Sequence, residues 1–207
     1  MKRLVSQFTK QLLEALEIGK SAKLKTNKKE ISSMVITGLG GSGIGGKIAT
    51  QIIAEQLKIP VIINNDYNLP EFVNENTLVI VSSFSGNTEE TLEALKKAQL
   101  AEAEIACITS GGKIAEIAKT KNYNLIILPK AFSPRAMLTY SIVQQLFLFN
   151  HYGLINDSFI NEIASTISLL DKEIDNIKDL AHQTSLLLHT KTFVLYSESS
   201  IEGVLIG

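Results

Sequence analysis

Val79-Ile80-Val81-Ser82-Ser83-Phe84-Ser85-Gly86-Asn87-Thr88-Glu89-Glu90-Thr91-Leu92 decides how the rest of the chain is read. A β-branched apolar run stops abruptly at a cluster of hydroxyls around one glycine. Helical spacing then begins, with Leu92, Leu95 and Ala98 on one stripe. The stretch predicts a buried strand, a tight polar turn and a helix N-terminus. Such a turn aims backbone N–H groups at one spot, where the positive end of the helix dipole also lies. Ser83, Ser85 and Thr88 can add hydroxyl donors there, a combination that suits a phosphate monoester. Asn87 followed by Glu90 is the pattern of a capping box, which accounts for part of the stretch without a ligand. It leaves Ser83 and Ser85 unexplained, because both cannot cap one helix.

The same strand–turn–helix pattern repeats on either side. An amphipathic helix through Leu4, Phe8, Leu12, Leu13 and Leu16 opens the chain. Lys20, Lys23, Lys25, Lys28 and Lys29 follow as a basic stretch without interleaved aromatics, expected to be a solvated linker. Met34 to Thr37 is a short strand, and a glycine-dense loop from Gly38 to Gly46 leads into a helix through Ile48, Ile52, Ile53 and Leu57. Ile59 to Ile63, Ile105 to Thr109 and Leu125 to Leu128 are further strands. A short helix carrying Ile114, Ile117 and Ala118 lies before the last of them. Ser133-Pro134 has the signature of another helix start. Short Ile/Val-rich strands alternating with helices predict a three-layer α/β fold, a doubly wound parallel sheet of five strands covered on both faces.

After Gly153 the pattern changes. Residues 157–189 read as helical, either two helices or one bent helix, and Thr192 to Tyr196 returns to strand character. The expected organisation is a domain over residues 1–153, a helical connector over 154–190, and the start of an incomplete second domain over 191–207. An uncovered strand at Phe193 to Tyr196 would favour a dimer.

Composition narrows the function classes. The 207 residues are 45% apolar and 20% charged, the balance of a folded soluble protein, and the net charge of −1 offers no footprint for nucleic acid or an anionic membrane. No uninterrupted apolar span is long enough for a bilayer and no secretory signal is present, so the expected compartment is the cytoplasm. Cys107 is the only cysteine, which excludes an intrachain disulfide, and its strand-like surroundings predict a small core residue.

Gly38, Gly40 and Gly43 fit a dinucleotide fingerprint, with Asp66 as the ribose-binding acid, so an NAD-binding oxidoreductase domain is one alternative. It gives no role to the serine-rich turn. Both loops follow strands of one parallel sheet, hence share its carboxyl edge, where ligands bind near a reversal of strand order. Arg135, before the next helix, is a third component, able to hold an oxyanion by paired hydrogen bonds.

Taken in order, Gly38-Leu39-Gly40-Gly41-Ser42-Gly43, Ser83 to Thr91 and Pro134-Arg135-Ala136 resemble sugar isomerase (SIS) domains. The combination is similar to the N-terminal part of the bifunctional phosphoglucose/phosphomannose isomerases. The resemblance implies aldose–ketose isomerisation of glucose 6-phosphate or mannose 6-phosphate to fructose 6-phosphate, without a cofactor or metal, in an enzyme expected to be a homodimer. Ser83, Ser85 and Thr88 match phosphate-binding positions, Gly41 and Ser42 the loop close to the sugar, and Arg135 the arginine that stabilises the enediolate. The family's glutamate base, ring-opening histidine and lysine match positions beyond residue 207. His151, His182 and His189 match none of them, and Glu198 and Glu202 are not assigned the base role. The 207-residue chain alone is therefore expected to bind the substrate and not to turn it over. A non-catalytic sugar-phosphate-binding module is the remaining alternative.

Overall fold

Strands β1 (Ser33–Thr37), β2 (Val61–Asn64), β3 (Thr77–Ser82), β4 (Glu104–Thr109) and β5 (Asn124–Ile127) form one parallel sheet in the order β2-β1-β3-β4-β5. The structure is a computed structural model that describes residues 5–26, 29–130, 137–192 and 194. Every residue of β1 and β3 is buried, because helices cover both faces of the sheet. Alternation along the strands sorts the apolar side chains. Val35, Val79, Val81, Ile105 and Cys107 share one face with Leu95 and Ala98 of α3 (Glu89–Leu100) and with Ile114 and Ala118 of α4 (Gly112–Lys121). Met34, Ile36, Leu78, Ile80 and Ile108, all fully buried, point to the other face. That face is served by α2 (Gly41–Ile52) and α5 (Leu138–His151), while α1 (Phe8–Ser21) packs on α5.

The expected α/β architecture is therefore present, with strand boundaries shifted by a residue or two. Helix α2 stops at Ile52 instead of running through Leu57. The chain divides into two compact units, residues 1–157 and 158–207. Within the second, Ser158–Leu188 is one helix, α6, not two. The expected strand at Phe193 to Tyr196 falls mostly outside the described residues, and Thr192 and Val194 belong to no regular element.

The lysine-rich linker departs from expectation. Part of it is fastened to the amino edge of the sheet instead of being freely solvated. Lys25 N–H donates to Asn124 Oδ1 at 2.7 Å, Asn124 Nδ2 donates back to Lys25 O at 3.2 Å, and Lys25 Nζ donates to Asn122 O at 2.8 Å. Lys29 Nζ likewise reaches Glu102 O at 2.8 Å. His151 Nε2–H donates to Lys25 O at 2.7 Å, so this histidine clamps the linker from the end of α5.

Cys107 is the core residue the sequence suggested. Burial pushes its thiol up to about 12 from 9.0. Burial raises the Tyr140 and Tyr152 phenols as well, with Glu14 adding to the shift at Tyr140 and Glu104 at Tyr152. A group whose folded pKa is raised contributes its full stability below the unfolded pKa, and loses it as pH rises through the folded one. The urea midpoint is thus expected to fall between pH 9 and 12, and Cys107→Ala to make that decline shallower. At pH 8 the folded chain should resist iodoacetamide. Rapid alkylation without unfolding would contradict this placement.

Candidate functional site

The order β2-β1-β3 places the reversal of chain direction across the sheet between β1 and β3. A crevice opens outside the carboxyl ends of strands at such a reversal. The loops that leave β1 and β3 are the glycine-rich loop and the serine-rich turn. They border a cavity of about 400 Å3 lined by Gly41 and Ser42 from the first and Phe84, Ser85 and Thr88 from the second, with α5 contributing Leu138 and Ser141.

The serine-rich turn is held from within and from its neighbour. Ser83 is only 2% exposed and sits behind the cavity wall, not in it. Its Oγ lies 2.8 Å from Thr88 Oγ1 and accepts Gly86 N–H at 3.2 Å. When Ser83 is the donor in the hydroxyl pair, the Thr88 proton is left for the cavity. The loop after β4 braces the turn from outside. Ser110 N–H and Oγ both donate to Phe84 O, at 3.0 and 2.7 Å, and Ile114 N–H donates to Gly86 O at 3.0 Å. Gly86 has φ +68, and a Cβ there would come within 1.8 Å of Gly111 O. Only glycine lets the two loops lie this close.

Thr88 is the residue before α3, yet its side chain does not cap the helix. The capping box expected from Asn87 and Glu90 does not form, because the Asn87 side chain is engaged elsewhere. Its Oδ1 accepts Lys113 N–H at 3.1 Å and its Nδ2 donates to Ser85 O at 3.3 Å. Among the described residues, the amides of Ser85, Thr88, Glu89 and Glu90 have no protein acceptor. The first-turn amides of a helix require a partner from side chain, solvent or ligand. Ser85 Oγ accepts Asn87 N–H at 3.2 Å and keeps its own proton to donate. The site is thus rich in donors and holds no lysine or arginine among the described lining residues, so an anion there would be met by amides, hydroxyls and the α3 dipole.

Of the residues named from the sequence, Gly41, Ser42, Ser85 and Thr88 come together at one cavity, and Ser83 supports it from behind. Arg135 lies outside the described residues. The apolar lining of Leu39, Leu128, Met137 and Leu138, and the hydroxyl of Ser141, were not foreseen. Asp66 is not among the described residues that line the cavity. Its Oδ1 accepts the Tyr67 amide at 2.6 Å, and the sheet order differs from the 3-2-1-4 order of dinucleotide-binding folds. No group of three or more metal-binding side chains occurs among the described residues, and no described helix is long and apolar enough to cross a membrane.

The SIS domain family model matches residues 29–154, the segment that carries the whole sheet and both cavity loops. The chain belongs to the SIS domain family. A bifunctional phosphoglucose/phosphomannose isomerase of Caldicellulosiruptor bescii is 41% identical over 207 residues, covering 97% of this chain and 61% of that relative. The SIS chain thus spans about three fifths of that relative's length. A D-glucosamine-6-phosphate 4-epimerase of Sulfolobus acidocaldarius is 39% identical over 113 residues, 54% of this chain and 35% of the relative. In fold, the SIS chain is similar to the C-terminal domain of glucosamine-fructose-6-phosphate aminotransferase from Francisella tularensis. The TM-score is 0.63 at 18% identity, over 86% of this chain and 58% of that one.

Proposed function

We propose that this SIS domain binds a hexose 6-phosphate and is the phosphate-anchoring part of a phosphoglucose/phosphomannose isomerase. The observation that supports the reading is the cavity at the β1/β3 reversal, lined by Gly41, Ser42, Ser85 and Thr88, next to a turn and helix start whose amides have no protein acceptor among the described residues. In this reading Ser85, Thr88 and the first turn of α3 hold the phosphate, with Ser83 fixing Thr88. Gly41 and Ser42 lie against the sugar. Arg135 is assigned the enediolate-stabilising role by resemblance alone.

The chemistry follows from the division of labour. Isomerisation moves a proton between C1 and C2 while the carbonyl moves the other way, through an enediolate. Binding energy at the remote phosphate orients the reacting carbons, and a cation beside the developing oxyanion lowers the barrier. No carboxylate lines the cavity among the described residues, so the general base is assigned to no residue of this chain. The relatives from C. bescii and S. acidocaldarius bear names for different reactions on phosphorylated hexoses, which supports the substrate class more strongly than the reaction. A homodimer in the cytoplasm completes the proposal.

Thermal unfolding with fructose 6-phosphate, 6-phosphogluconate and NADH tests it. A ligand at one hundred times its Kd adds about 2.7 kcal/mol to stability. The phosphosugars are expected to raise Tm in a concentration-dependent way, and NADH to leave it unchanged. Stabilisation by NADH alone, or by none of the three, would overturn the reading.

A further inference from the structure

Among the described lining residues, Ser141 is the one polar side chain that neither loop supplies; the others are Ser42, Ser85 and Thr88. It sits one turn into α5, on the seam where α5 meets α2. That seam is unusually close, because a Cβ on Gly45 would lie 2.3 Å from Ser141 Oγ. Ser141 is 6% exposed and is one of the residues lining the cavity.

The hydrogen bonding around this hydroxyl has a direction. Gln145, one turn further along and fully buried, donates from Nε2 to Ser141 Oγ at 3.4 Å. In this pair Ser141 Oγ accepts, which leaves its own proton to be given elsewhere. A serine inside a helix commonly gives that proton to the carbonyl one turn back. Thr166, Ser168 and Thr184 of α6 do so. Ser141 does not, and it has no acceptor among the described residues.

We propose that Ser141 is a sugar-contacting residue, donating its hydroxyl proton to an oxygen of the hexose part of a bound hexose phosphate. This rests on the cavity being the phosphosugar site, and adds to it a contact that discriminates the sugar from the phosphate.

Titration calorimetry on the full chain with glucose 6-phosphate and with inorganic phosphate separates this from the underlying reading. Ser141→Ala is expected to weaken glucose 6-phosphate binding roughly tenfold, the size of one unreplaced hydrogen bond, and to leave inorganic phosphate affinity unchanged. Gln145→Met disturbs the same seam but keeps the hydroxyl, and is expected to retain most of the preference for the sugar phosphate. An unchanged glucose 6-phosphate affinity in Ser141→Ala would overturn the assignment. So would an equal loss for both ligands, or the same loss in Gln145→Met, since each would point to packing instead of the hydroxyl. A wild-type chain that binds neither ligand would refute the phosphosugar site itself, and Ser141 with it.

Discussion

Gly86→Ala is expected to lower the stability of the chain by ~3 kcal/mol and to abolish phosphate binding. Two separate effects add. A non-glycine residue at φ +68 is strained by about 1 kcal/mol or more. The new methyl would also fall 1.8 Å from Gly111 O and 2.7 Å from Thr109 Oγ1, and the first is backbone that cannot rotate away. Relief requires the turn after β3 and the loop after β4 to part. That breaks the bonds from Ser110 to Phe84 O and from Ile114 N–H to Gly86 O, which place the turn. Gly153→Ala is the control, with nearly the same φ of +71 and nothing within 4 Å of the added methyl. It should show the strain alone, about 1 kcal/mol, and leave ligand binding intact. Urea unfolding of the two variants reads the difference directly. Equal losses would mean that the two loops do not lie as close as described.

The features that could be read from the sequence are those fixed by local periodicity. Val79, Ile80 and Val81 cannot be exposed on either face, so β3 had to be an inner strand. The switch from that run to Leu92, Leu95 and Ala98 marked the helix that follows. The cavity loops followed from the same rule, since a parallel sheet sends every strand-to-helix turn to one edge. What local pattern could not carry was the use made of each polar group. Asn87 has the chemistry of a cap, yet the amide of Lys113, brought in by the next loop, takes its oxygen instead. Ser83 and Ser85 look equivalent in sequence, but only Ser85 reaches the cavity, because Ser83 is turned inward onto Thr88. Ser141 is hidden among Thr139, Tyr140, Ile142 and Val143, where a serine reads as a filler in a buried helix. The approach of Gly45, far away in sequence, is what distinguishes it, and local pattern carries no trace of that contact.

The largest effect on binding without loss of fold is expected from Ser85→Ala combined with Thr88→Ala. In the proposed site each hydroxyl would donate to the anion, and hydrogen bonds to charged groups contribute about 1.5–3 kcal/mol each. Losing both should weaken inorganic phosphate and glucose 6-phosphate alike, by roughly 100-fold or more. The free amides of the turn and of the first turn of α3 survive the double substitution, so residual binding should persist and not vanish. Stability should change less than in Gly86→Ala. Ser85 is exposed and gives up only its bond from Asn87 N–H, while Thr88→Ala removes the 2.8 Å partner of Ser83. Thr88→Ser restores that partner and should recover most of the affinity. This double variant is also the counterpart of Ser141→Ala, since one reduces affinity for every phosphate and the other only for those that carry a sugar. Unchanged phosphate affinity in the double variant, measured by calorimetry on a chain that still unfolds cooperatively, would move the anion site away from the turn after β3. The ligand would then have to be sought outside the β1/β3 crevice.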